Sequence, residues 1–175
     1  MIVAMEIESI TVLGGRGKSG LPEPVREVEL KRGEIISIVG PTGSGKTTLI
    51  NDIEMFASGD TPTKRKILVN GGEVPEEIRN NPRNNPIARI TQHTSFLSDL
   101  PVYEFLSIHA KIRQDGDESL VKKTLDLANQ LSGENILSNS RMTELSGGQT
   151  RAMLIADAVV IGNTPIVLID EVENT

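Results

Sequence analysis

Residues Gly40-Pro41-Thr42-Gly43-Ser44-Gly45-Lys46-Thr47-Thr48 constrain this chain more than any other stretch. Glycine, four residues, then Gly-Lys-Thr is a backbone shaped around an anion. A polyphosphate needs many donors converging on a concave surface, and glycines such as Gly43 and Gly45 let the main chain approach that closely. Lys46 adds a point charge for the terminal phosphates, and Thr47 offers a hydroxyl suited to Mg²⁺. The run Ile35-Ile36-Ser37-Ile38-Val39 just before it is predicted to be a buried parallel strand, from its length and β-branching. Thr47 to Ala57 is predicted to be the helix whose positive end faces the anion. Strand, loop and helix thus come in the order an α/β phosphate site requires.

Two later stretches extend the pattern. Pro165-Ile166-Val167-Leu168-Ile169-Asp170-Glu171 reads as a buried strand ending in two carboxylates. Asp170 would orient Mg²⁺, and Glu171 would polarise or deprotonate an attacking water. Upstream, Leu145-Ser146-Gly147-Gly148-Gln149 pairs a helix-capping serine with two glycines.

Together these residues resemble the ATP-binding cassette (ABC) ATPase family over essentially the whole chain. The resemblance implies a P-loop NTPase core of α/β class, with a peripheral antiparallel β-sheet and an inserted helical subdomain. On that pattern residues 1–92 and 164–175 form the nucleotide-binding core, and 93–163 form the helical subdomain. Gly40 to Thr48 would hold ATP and, with Asp170 and Gln92, Mg²⁺. Gln92, directly after Ile87-Ala88-Arg89-Ile90-Thr91, would contact the metal and the attacking water. Lys46, Gln92 and Glu171 are the candidate catalytic residues. Ser146, Gly147, Gly148 and Gln149 are the candidate contacts to the γ-phosphate held by a second copy, in a head-to-tail homodimer or with a paired ABC domain. Leu100 to Leu106 would open the helical subdomain, and Gln92 to Leu106 would meet the membrane helices of a permease. Powering a transporter is the first expectation. A soluble ATPase that remodels a protein, nucleic-acid or metallocofactor complex, and a nucleotide-binding module without turnover, are the alternatives.

Composition bounds the rest. The 175 residues include no cysteine, so neither a disulfide framework nor a thiolate metal site can form. No apolar run approaches the length of a membrane span, which makes a cytoplasmic chain the expectation, at most peripheral to a membrane. A net charge of −6 argues against a nucleic-acid partner, which calls for a basic face.

Along the chain, Met5 to Leu13 and Val25 to Leu30 are predicted to be antiparallel strands joined by Gly14-Gly15-Arg16-Gly17-Lys18-Ser19-Gly20. That loop mimics a second phosphate site but fails on spacing, because Val12 stands where the first glycine should be. It reads as a flexible hairpin loop, with Arg16 and Lys18 as side candidates for touching nucleotide or a partner. Lys66 to Val69 is a predicted strand closed by the turn Asn70-Gly71-Gly72, and Asn80 to Pro86 a solvated connector. Leu120, Thr124, Leu127 and Leu131 suggest a helical packing stripe. His93 and His109 carry no ligand spacing and read as structural or surface residues.

Departures from the family pattern shape the expectations further. The aromatics Phe56, Phe96, Tyr103 and Phe105 all follow the phosphate loop, whereas family members usually stack adenine on an aromatic in the first strands. Val172-Glu173-Asn174 follows the catalytic glutamate, and Ala156-Asp157-Ala158 replaces Ala-Arg-Ala, both hinting at a divergent branch. With Thr175 in the loop after the carboxylates and no switch histidine, a C-terminally incomplete domain is expected.

Overall fold

The computed structural model describes residues 6–79, 85–91, 93–114 and 116–170. The chain divides into two compact units, Met1–Ile87 and Ala88–Thr175.

In the first unit an antiparallel sheet runs in the order β2-β1-β3-β4, with β1 at Ser9–Leu13, β2 at Glu27–Lys31, β3 at Lys66–Val69 and β4 at Gly72–Glu73. Alternation decides its inner face. Ile10 pairs with Val69 and Val12 with Ile67, and all four are buried. Helix α1, Lys46–Glu54, lies after the phosphate loop and adds buried Ile50 and Ile53 to this unit's core. The charged, exposed strand β2 forms one edge, a composition that discourages pairing with other chains. Asn70 and Gly71 both take positive φ, 51° and 76°, the left-handed pair of a tight hairpin between β3 and β4. The Asn70 side chain also accepts from the backbone N–H groups of Glu8 and Ser9, clipping the entry to β1. A short helix α2, Glu76–Arg79, follows.

The expected strand Ile35–Val39 is corrected by the structure. It joins no ladder, and Ile35 and Val39 are 97% and 86% exposed. A parallel strand buried on both faces needs partners on both edges, and the strands of this unit are committed to an antiparallel sheet.

The second unit begins within β5, Ile87–Thr91, which pairs with β6, Ile166–Asp170. Around them stand α3 (Val102–Arg113), α4 (Glu118–Ser132) and α5 (Gly147–Val160), with a 3₁₀ turn at Met142–Glu144. Their core gathers Val102, Leu106, Ala110, Val121, Ala128, Ile136, Met142, Met153, Ala156 and Ile161. Asp117 caps α4 by accepting from Ser119 N–H, and Gly133 ends it with φ 66°. Two expectations shift here. On α4 the buried line is Val121, Thr124 and Ala128, with Leu120 and Leu127 half-covered beside it and Leu131 50% exposed. The small residues let α5 approach, so the leucines flank the contact rather than fill it. Strand β6 is half-buried rather than buried, since a two-stranded sheet covers only one of its edges. No helix among the described residues is long and apolar enough to cross a membrane.

Candidate functional site

The phosphate loop is built by backbone conformations that side chains resist. Gly43 and Gly45 have φ of 81° and 96°, left-handed values, and a Cβ on Gly40 would stand 2.9 Å from Ser44 Oγ. Ser44 N–H donates to the Pro41 carbonyl at 3.1 Å, and Leu49 N–H to the Gly45 carbonyl at 2.9 Å, starting α1. No side chain caps α1, and its first turn holds no acid. The open N–H groups and the helix dipole therefore face outward from a loop free of negative charge. The Lys46 ammonium folds back over the loop, donating to the carbonyls of Gly40 and of Pro41, the latter at 3.2 Å. Thr47 and Thr48 stand exposed on the first turn.

The glycine-rich segment at 14–20 is tied down at many points, which corrects the expectation of a flexible loop. Cβ atoms on Gly14 and Gly15 would meet the Val25 and Thr63 carbonyls at 2.2 and 2.0 Å. Gly15 N–H donates to Glu23 Oε2 at 3.0 Å, and Arg16 N–H to the Thr63 carbonyl at 2.6 Å. Glu23 in turn takes Arg65 in a bidentate grip, while Arg65 Nη1 donates to Asp52 Oδ2 at 2.9 Å and Thr63 Oγ1 to the same oxygen at 2.8 Å. The hydrogen bond from Arg65 holds the Glu23 carboxyl below its ordinary range, and the same bond raises the guanidinium. Asp52 is 2% exposed and belongs to α1, so this network locks the loop to the phosphate-loop helix. Nothing in the sequence pattern marked these three charges as partners. Lys18, from the same loop, donates to the Gly43 carbonyl at 2.9 Å.

In the second unit Ser146 is the N-cap of α5. Its hydroxyl accepts from Gln149 N–H at 3.2 Å, and Gln149 Oε1 accepts from Ser146 N–H at 2.9 Å, a reciprocal capping box. Gly147 and Gly148 have no internal reason to be glycine. A Cβ on Gly147 would meet nothing within 4 Å, and on Gly148 only Ser146 Oγ at 4.0 Å. Asp170, at the end of β6, is 9% exposed and accepts from Arg89 Nη2 of β5 at 2.9 Å. Asp170 and Gly148 share the wall of an open cavity of about 230 Å³. Gln92 and Glu171 lie outside the described residues.

His109 has a structural role. Its Nδ1 lies 2.7 Å from Asp157 Oδ1, joining α3 to α5, and its ring leans on Phe105, which packs edge-on against Phe96. The described residues contain no cluster of three or more His, Cys, Asp or Glu arranged to hold a metal.

A glycine-built loop at the open N-terminus of a helix, closed over by a lysine, defines the P-loop nucleotide-binding proteins. Comparison with known proteins narrows the class. The ABC transporter family pattern matches residues 26–174. An ABC transporter ATP-binding protein of Methanocaldococcus jannaschii is 54% identical over 170 residues, 97% of this chain and 65% of that protein. The ABC transporter ATP-binding protein YtrE of Bacillus subtilis is 31% identical over 98% of this chain and 74% of its own length. This chain belongs to the ABC transporter family. Among solved structures, CbiO1 of Clostridium perfringens, part of the ABC transporter complex CbiONQ, superposes with a TM-score of 0.59 over 97% of this chain and 80% of its own. At 19% identity that likeness speaks for the fold alone. The chain spans a little under two thirds of its Methanocaldococcus relative.

Proposed function

We propose that this chain binds MgATP on Gly40 to Thr48 and hydrolyses it to ADP and phosphate, powering a membrane transporter through a nucleotide-driven head-to-tail pair. The phosphate loop carries the reading: left-handed Gly43 and Gly45, an uncapped helix start and the ammonium of Lys46 stand together in one segment, the donor set an anion takes. On the family pattern Thr47 and Asp170 would each offer an oxygen, the donor type Mg²⁺ takes when phosphates and water complete its shell. A bound Mg²⁺ would neutralise charge on the β- and γ-phosphates. Lys46 would hold those phosphates, Gln92 and Glu171 would orient and polarise water, and the core at 1–92 and 164–175 would present the site.

The stretch Ser146-Gly147-Gly148 supports the pairing. Glycine in the middle of a helix costs about 0.5–1 kcal/mol relative to alanine and less in the first turn, and neither Gly147 nor Gly148 recovers its cost through contacts within the chain. Their bare backbone, beside Ser146, suits close approach by the phosphates of a second copy. Asp157, which hinted at a divergent, soluble role, is accounted for by its bond to His109. The relatives named as transporter ATP-binding proteins favour transport.

Calorimetric titration with MgATP and a phosphate-release assay, run on the wild type, Lys46→Ala and Glu171→Gln, test this. Lys46→Ala should lose triphosphate binding, because it removes a ground-state contact, whereas Glu171→Gln should bind normally and turn over poorly. Equal loss of binding in both variants would refute the division of roles.

A further inference from the structure

We propose that Lys18 is a second phosphate-contacting cation of the nucleotide site, reading the charge of the polyphosphate from outside the conserved loop pattern; the proposal rests on Gly40 to Thr48 being that site. Lys18 Nζ donates to the Gly43 carbonyl at 2.9 Å, and Lys46 Nζ to the Gly40 and Pro41 carbonyls of the same loop. Two ammonium groups thus converge on nine residues that contain no acid, ahead of a helix whose first turn contains none either. An ammonium has three donors. One of Lys18's is spent on a neutral carbonyl, and among the described residues no carboxylate pairs with it. In a chain of net charge −6 such a concentration of uncompensated positive charge suits a multiply charged anion lying between the two lysines.

Lys18 is itself exposed, but the loop that carries it is anchored. Its loop cannot accept a Cβ at Gly14 or Gly15, and Gly17 N–H donates to the Leu21 carbonyl while Gly20 N–H donates to that of Gly17, each at 2.9 Å. The loop's far end, Glu23, grips Arg65, and Arg65 bonds Asp52 on α1. Loop and helix are therefore registered against each other through a partly buried charge bridge that ends on buried Asp52. Lys18 and Lys46 are held to one frame.

Calorimetric titration of the intact chain with MgATP, MgADP and AMP tests this, using wild type, Lys18→Met, Lys18→Arg and, as a charge control on exposed α4, Lys122→Met. Lys18→Met should weaken MgATP about tenfold, MgADP less and AMP hardly at all. It should also flatten the dependence of MgATP affinity on salt, while Lys18→Arg stays near wild type and Lys122→Met matches it. If Lys18→Met binds every nucleotide as the wild type does, or loses all three by one common factor, the lysine is inert or a loop clamp and the proposal is overturned. Failure of the wild type itself to bind MgATP would instead refute the nucleotide site, and this proposal with it.

Discussion

Removing Arg65 should destabilise the chain by about 3 kcal/mol. Its guanidinium bridges Glu23 and Asp52, with side chains 11, 19 and 2% exposed. Taking away one member of a buried ion pair costs about 3–5 kcal/mol, since the remaining charge stays desolvated and unmatched. Here the cost falls toward the lower end, because Asp52 keeps the Thr63 hydroxyl and Glu23 keeps the Gly15 N–H. Against a total stability of about 5–15 kcal/mol, Arg65→Ala should shift the urea midpoint visibly without changing the slope. Arg65→Lys should fall between, since a point charge cannot fork to two carboxylates. In a double-mutant cycle, Asp52→Asn should cost much less on the Arg65→Ala background than alone. The penalty should also shrink in acid. Glu23 titrates below its ordinary value, so its contribution is present above the unfolded pKa and fades as pH falls through the lowered one. A loss of under about 1 kcal/mol at neutral pH is what a solvated surface pair gives, and would show that the network is not buried in solution.

Three further outcomes are expected. Asp60, brought from 3.8 to about 2 by the Ser58 N–H and then by Arg79, stabilises the fold above its unfolded pKa, and that gain disappears as pH falls toward 2; Asp60→Asn should flatten the acid limb of a stability-against-pH curve, and an unchanged limb would contradict it. With every aromatic placed after the phosphate loop, ATP and GTP should bind within about tenfold of each other, and a hundredfold preference in parallel titrations would mean that another residue supplies a platform for the base. Gly147→Ala, which meets no atom within 4 Å, should raise thermal stability by less than about 1 kcal/mol yet slow phosphate release; a loss of stability would reveal a contact the glycine avoids.

The elements legible in the sequence are those fixed by local chemistry. Asn70-Gly71-Gly72 announced a turn, Lys66 to Val69 read as a strand, and Ser146 with its glycines marked a helix start. The phosphate loop was legible because its glycines satisfy a backbone demand that needs no distant partner. Failures came where the outcome depends on what lies across the fold. Ile35–Val39 has the composition of a central strand, but a strand exists only through its neighbours. The leucines of α4 outrank Val121 and Ala128 in hydrophobicity, yet helix approach favours the smaller side chains.

Two residues show how single departures from a pattern mislead until their partners are known. Asp157 in place of an arginine reads alone as a sign of changed function. His109 lies 48 positions away and places a ring nitrogen 2.7 Å from it, so Asp157 has a local partner in joining α3 to α5. Lys18 runs the opposite way. The Gly14–Gly20 segment fails the spacing of a phosphate loop and left Lys18 only a side candidate, yet this lysine donates to the Gly43 carbonyl of the loop that satisfies it. A spacing rule tests whether a segment can wrap an anion by itself. It says nothing of a segment that could lend one charge to a site wrapped by another, and the partly buried Glu23–Arg65–Asp52 bridge ties such a segment to the helix after the loop.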